Sequence, residues 1–139
     1  MLKMFQMENC KLVSTPMATG CKLCANDKSP DVHKKICGSM IGSLIHLTTS
    51  RPNIMFVVKL AAIYQSTPKK SHLLATNMIF KYLKGTTDYG LWYPKGKNFT
   101  LTSYTNVDWA TCVDDMQITS GGAFYLGESL VAWFFSKLF

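Results

Sequence analysis

Cys21-x-x-Cys24, followed by His33 and Cys37, brings together residue types that could hold a metal. A Cys3His set suits zinc, which needs four ligands on a tight tetrahedron with S–Zn distances of ~2.3 Å. The spacing C-x2-C-x8-H-x3-C matches no zinc pattern with a physical rationale. Cys37 also opens an apolar helical repeat, where cysteine serves as a small core residue. A zinc site and a packed thiol are the two readings of this run. The second candidate is basic. Lys70, Asn77, Lys81 and Lys84 are spaced 7, 4 and 3 apart, which places them on one face of a helix. That stripe could lie along a phosphate backbone, and an ordinary solvated face satisfies the same spacing. No acid separates Asp31 from Asp88, and the interval carries +8 through Lys34, Lys35, Arg51, Lys59, Lys69, Lys70, Lys81 and Lys84.

These candidates sit in a chain of 139 residues with 47% apolar and 17% charged residues, long enough for about one domain with a core. The balance excludes a disordered chain, collagen and a coiled coil. A net charge of +7 favours polyanionic partners, of which nucleic acid is the commonest. The longest stretch without a charge, Ile36 to Ser50, has 15 residues, short of the ~20 that a membrane-spanning helix needs. The start, Met1-Leu2-Lys3-Met4-Phe5, lacks the apolar run of a signal peptide. Five cysteines, an odd count, point to reduced thiols inside a cell, in cytoplasm or nucleus.

The elements that must position the candidates follow from periodicity. Leu2, Met4 and Phe5 at helical spacing predict the tail of a helix over residues 1–8. The stretch from Lys11 to Pro30, rich in Thr, Ser, Lys and small residues, reads as an extended connector. A first helix is predicted over Val32–Thr49 from the stripe Met40, Ile41, Leu44, Ile45 and Leu47. Its Gly38 and Gly42, four apart, would let another helix approach closely. A second helix opens at Ser50-Arg51-Pro52, with proline at a first helical position, and ends near Gln65. It is apolar nearly all round apart from Lys59, so it should be the most buried. A third helix spans Pro68–Lys84, stopped by Gly85, with Leu73, Leu74, Met78, Ile79, Tyr82 and Leu83 on its core side. The period then changes. Tyr89-Gly90-Leu91-Trp92-Tyr93 is a strand candidate, Pro94-Lys95-Gly96-Lys97 a turn, and Phe99 to Val107 alternates. Ala123–Leu126 and Leu130–Phe135 flank Gly127-Glu128-Ser129 as a β-hairpin. Helices followed by strands, with a boundary near Asn98, make an α+β chain.

Several blocks, in order, resemble the Pol polyprotein of copia-class LTR retrotransposons. They are Cys10-Lys11-Leu12-Val13-Ser14-Thr15-Pro16-Met17, Met40-Ile41-Gly42-Ser43-Leu44, Ser50-Arg51-Pro52-Asn53-Ile54-Met55-Phe56, Phe80-Lys81-Tyr82-Leu83-Lys84-Gly85-Thr86-Thr87 and Gly90-Leu91-Trp92-Tyr93. The likeness covers nearly the whole chain. It implies that residues 1–98 correspond to a small helical bundle from the reverse transcriptase thumb and connection. Residues 99–139 would be a truncated, three-stranded antiparallel RNase H-like sheet.

The resemblance also implies an ancestral activity: copying RNA into DNA and cutting the RNA of the hybrid. The family's polymerase aspartates lie upstream, and nothing here matches them. RNase H chemistry uses carboxylates that hold two divalent ions ~3.5–4 Å apart. The family's first strand reads Tyr-Ser-Asp-Ala-Asp-Trp-Ala, with its first Asp a metal ligand. Here the segment is Tyr104-Thr105-Asn106-Val107-Asp108-Trp109-Ala110, so Asn106 takes the ligand position. Asn keeps the shape but loses the charge that Mg²⁺ demands. Asp108 matches a position that is not the first ligand, and its role reads as turn or cap. The family's next ligand, a Glu on the helix after the third strand, falls beyond Phe139. Met116 and Gln117 replace two usual basic residues. The resemblance thus implies a chain without intact catalytic residues, metal or cofactor. Its partners would be an RNA/DNA hybrid or duplex, held weakly and without sequence preference through Lys70, Lys81 and Lys84, and the rest of the parent polyprotein.

Overall fold

The computed structural model describes residues 1–96, 99–108 and 119–137. Three helices precede a three-stranded antiparallel sheet, so the chain is α+β. It divides into two compact units, Met1–Tyr89 and Gly90–Phe139. Asn98, where the change of period suggests a boundary, lies outside the described residues.

In the helical unit, α1 (Lys34–Leu47) buries Cys37, Met40, Ile41 and Leu44 at i, i+3, i+4, i+7 spacing, whereas Ile45 of the expected stripe is exposed and Leu47 half-buried. Gly38 and Gly42 lie away from that stripe, and a Cβ added at either would meet nothing within 4 Å. No helix of this unit uses their close-approach surface. After α1 the expected single helix is split. Pro52–Ile54 forms a 3-10 turn, and α2 (Met55–Ile63) follows it. The proline ring opens the turn at a position where its missing N–H costs nothing. Val57, Val58, Leu60 and Ala61 are buried, whereas Phe56 and Lys59 are exposed, so α2 has a wet side after all.

Helix α3 (Lys70–Gly85) buries Ile79, Phe80, Tyr82 and Leu83 against α1 and α2. Leu74 is exposed and Leu73 and Met78 are half-buried, contrary to the expected core side. His72 and Thr76 take the buried positions instead, because each has its polar atoms bonded. The N-terminal segment folds onto this core. Residues Lys3–Phe5 make a 3-10 turn rather than an α-helical tail, Phe5 meets Phe80 edge-on at 5.4 Å, and Met7 is buried.

In the sheet unit the strands are β1 (Leu101–Asp108), β2 (Thr119–Leu126) and β3 (Ser129–Lys137), ordered β1-β2-β3. Gly127, at φ +62°, turns β2 into β3, and its N–H donates to Thr100 O at 2.8 Å. The left-handed conformation there favours glycine. The register shifts at Phe124/Tyr125, a bulge that leaves Val131 unpaired with β2. At Gly122 the ring of its cross-strand partner Phe134 lies over the backbone, and a Cβ would sit 2.1 Å from Phe134 Cε1. The expected strand at 89–93 is absent. Tyr89 N–H closes a turn onto Thr86 O, and the Arg51 guanidinium takes Tyr89 O, so neither group is left for a ladder.

Candidate nucleic-acid interface and strand β1

Helix α3 is held at both ends. At its start, Lys69 N–H donates to His72 Nδ1 at 3.0 Å, which satisfies one of the donors a helix N-terminus leaves open. Lys70 N–H donates to Pro30 O at 2.9 Å, and Lys69 Nζ pairs with Asp31 at 2.7 Å. Asp27 anchors the same corner. Hydrogen bonds from Ser71 and then Ser29 hold its carboxyl below the ordinary aspartate value. At the other end, Arg51 Nη2 donates to Thr86 O at 2.7 Å and to Thr86 Oγ1 at 2.9 Å, while Nη1 donates to Tyr89 O. A cation on the carbonyl end of a helix opposes its dipole.

These contacts sort the basic interval. Arg51 caps a helix and Lys69 meets Asp31. Lys84 donates its Nζ to Cys10 O at 3.0 Å, and Leu12 covers Gly85 beside it, so residues 10–13 overlie the end of the Lys70–Lys81–Lys84 stripe. Lys70 is exposed and Lys81 half-buried, on the same face. Lys34, Lys35 and Lys59 are exposed on the other two helices. The helical unit holds twelve of the 15 Lys and Arg and four of the eight Asp and Glu, a net +8, and the sheet unit carries −1. The structural role of Arg51 was invisible in spacing alone, because its partners lie 35 and 38 residues away. The Ser50-Arg51-Pro52 start signal was its only local sign.

The cysteine–histidine run does not assemble. Cys37 is fully buried in α1, and burial pushes its thiol up. Among the described residues, no three His, Cys, Asp or Glu side chains come together as a metal site. The zinc reading of Cys21, Cys24, His33 and Cys37 therefore fails. Sequence order put four ligands near one another, and the helix turned one of them into the core.

Asn106 is exposed on β1. Its partner across β2 is Gly121, and Gly121 pairs in turn with Phe135 on β3. Hydrogen and a phenyl ring thus occupy the positions level with Asn106, and neither can ligate a hard cation. Tyr104, two residues back on the same face, stacks edge-on with Tyr125 at 5.8 Å. Trp109, Ala110 and the Asp115-Met116-Gln117-Ile118 run lie outside the described residues. No helix among the described residues is long and apolar enough to cross a membrane.

Comparison with known proteins gives consistent relatives. The chain is 35% identical over 129 residues to the retrovirus-related Pol polyprotein from transposon RE2 of Arabidopsis thaliana, covering 91% of this chain and 9% of the relative. The Pol polyprotein from transposon RE1 of the same plant is 33% identical over 127 residues, 91% of this chain and 9% of that protein. The Pol polyprotein from transposon TNT 1-94 of Nicotiana tabacum is 30% identical over 139 residues, 95% of this chain and 10% of its own length. The chain therefore spans about a tenth of the length of these relatives. No family model matches it. No solved structure matches it either.

Proposed function

Because the chain belongs to the copia-class retrotransposon Pol polyproteins, we propose that it is the stretch joining the end of the reverse transcriptase to the start of RNase H, and that it has no nuclease activity of its own. The helical unit then corresponds to the thumb and connection, and the sheet to the opening strands of RNase H. The observation that carries the inactivity is local. Asn106 holds the first ligand position, and its register neighbours Gly121 and Phe135 supply no anionic oxygen. A pair of magnesium ions a few ångströms apart repel each other unless several carboxylates neutralise them. The test is incubation of the purified chain with an RNA–DNA hybrid in Mg²⁺ or Mn²⁺. No cleavage is expected, nor from Asn106→Asp, since one restored carboxylate is not a two-metal site. Dose-dependent cleavage of the RNA strand by the chain overturns the reading.

The +8 charge of the helical unit favours a second role, retained binding of duplex or hybrid backbone without base readout. Each phosphate neutralised makes log K fall against log salt with a slope of about −0.9. Lys70 and Lys81 would carry contacts directly, and Lys84 would do so with the donor capacity left beside its bond to Cys10 O. A Lys70→Ala/Lys81→Ala/Lys84→Ala variant is expected to lower the slope by about two to three contacts. Affinity indifferent to salt, or unchanged in that variant, rules the role out.

A further inference from the structure

The loop bearing Cys21 and Cys24 borders a cavity of about 380 Å³ between residues 17–27 and one side of α3. Four sulfur-bearing side chains line it: Cys21, Cys24, Met17 and Met78. Both cysteines are free thiols, one exposed and one half-buried. Cys37, the buried thiol on α1, takes no part in it. The loop is fixed from beneath. Tyr64 Oη donates to Leu23 O at 3.0 Å, and His72 Nε2 bonds Cys24 O at 2.9 Å. Those two rings stack at 4.4 Å, and Leu23 is buried between the cysteines in sequence. Gly20, at φ +75°, and the bond from Cys21 N–H to Ala18 O set the turn that leads Met17 toward the thiols.

We propose that Cys21 and Cys24, assisted by Met17 and Met78, form a binding site for a soft monovalent metal ion of the Cu(I) class. Thiolate and thioether sulfur select soft ions, and Cu(I) is content with two or three such ligands, where structural zinc asks for four. The cavity offers four sulfurs and one carboxylate, that of Asp27, whose oxygens already accept hydrogen bonds from Ser29, so sulfur is the donor left for a metal. Each thiol releases its proton as its Cu–S bond forms, so one Cu⁺ and two thiols give a bis-thiolate of charge −1 and two protons. Lys22 also lines the cavity. The site is independent of the polyprotein reading and of the basic stripe.

The test titrates the full reduced chain with Ag(I), a redox-inert analogue of Cu(I), and reads binding by competition and by intact-mass spectrometry. The first equivalent is expected to bind more tightly than any taken up by Cys10, Cys37 or Cys112. Cys21→Ser, at an exposed position where the fold is undisturbed, is expected to weaken binding at least about 100-fold. Met17→Leu combined with Met78→Leu, which conserves volume, is expected to weaken it about 10-fold. Circular dichroism confirms that each variant keeps its helices. The proposal is overturned if Cys21→Ser binds the first equivalent as tightly as the parent chain, or if Cys10→Ser costs as much as Cys21→Ser.

Discussion

Phe80, Ile41 and Leu44 of the helical unit are fully buried, whereas Leu101, Val131 and Phe134 of the sheet unit are 68%, 42% and 40% exposed. Every buried apolar side chain among the described residues belongs to the helical unit. The sheet has its backbone ladder and its turn, but three strands offer two faces and two edges, and the unit's described residues include no helix or second sheet to cover them. The comparison separates two things that strand and helix patterns conflate. A correct period specifies an element, and a covered face stabilises it. Here the helices have both and the sheet has the first.

The largest expected effect tests that difference directly. Phe80→Ala removes a fully buried ring that Phe5 also touches, and should cost the helical unit about 3–5 kcal/mol. Phe134→Ala, on the sheet, should cost within about 1 kcal/mol. Urea unfolding followed by helical circular dichroism reads the first and strand signal the second. Equal losses would mean that the sheet is as well covered as the helices.

Arg51 gives a second, smaller effect. Arg51→Ala leaves Thr86 O and Tyr89 O at the end of α3 without their charged donor, at a cost of about 1.5–3 kcal/mol. Arg51→Lys should recover only part of it, because an ammonium cannot reach two carbonyls and a hydroxyl with the planar fork. Thermal melting of the three chains orders them. A lysine variant equal to the parent would show that charge alone caps the helix.

How far the sequence revealed this arrangement depends on how local each cause is. The core of the α1 stripe at Met40, Ile41 and Leu44, the turn at Gly127 and strand β1 arise within a few residues, and all three were legible. Leu74 was misplaced in the core because periodicity counts apolar residues and does not see that His72 and Thr76 arrive with partners. The split of the second helix at Ile54 follows from Pro52, whose permitted position starts a 3-10 turn as readily as an α-helix. For the candidate site, the motif singles out Asn106 from sequence alone, whereas its neighbours Gly121 and Phe135 depend on a register that only pairing sets. The lysine stripe was legible as a face. Its overlay by residues 10–13 was not, since Lys84 and Cys10 are 74 residues apart.

Gly42 sharpens the comparison from the side of stability gained. It lies inside α1 with open space around a would-be Cβ. Gly42→Ala should stabilise the helical unit by about 0.5–1 kcal/mol, by restricting the unfolded chain and meeting no neighbour. Scanning calorimetry against the parent checks this. A loss of stability would reveal a partner surface on that face which the helical unit itself does not provide.

The smallest effect concerns pH at the corner where Asp27 meets α3. Its carboxyl is held below the ordinary value by hydrogen bonds from Ser71 and Ser29 that favour the ionised form. A depressed folded pKa stabilises the native state above the unfolded pKa, and that contribution is lost as pH falls through the folded value. The corner should therefore loosen only in acid, below the usual aspartate range, and show no dependence near neutrality. Amide exchange at Ser29 and Ser71, whose N–H groups donate to Asp27 Oδ1 and Ser29 Oγ, reports it residue by residue. Asp27→Asn should abolish this acid-dependent step while leaving the core of the helical unit protected, because the corner pins the connector and the apolar contacts of Phe80 and Leu44 do not depend on it. A step that persists in Asp27→Asn would assign it to another carboxylate, with Asp31 on Lys69 the nearest in sequence.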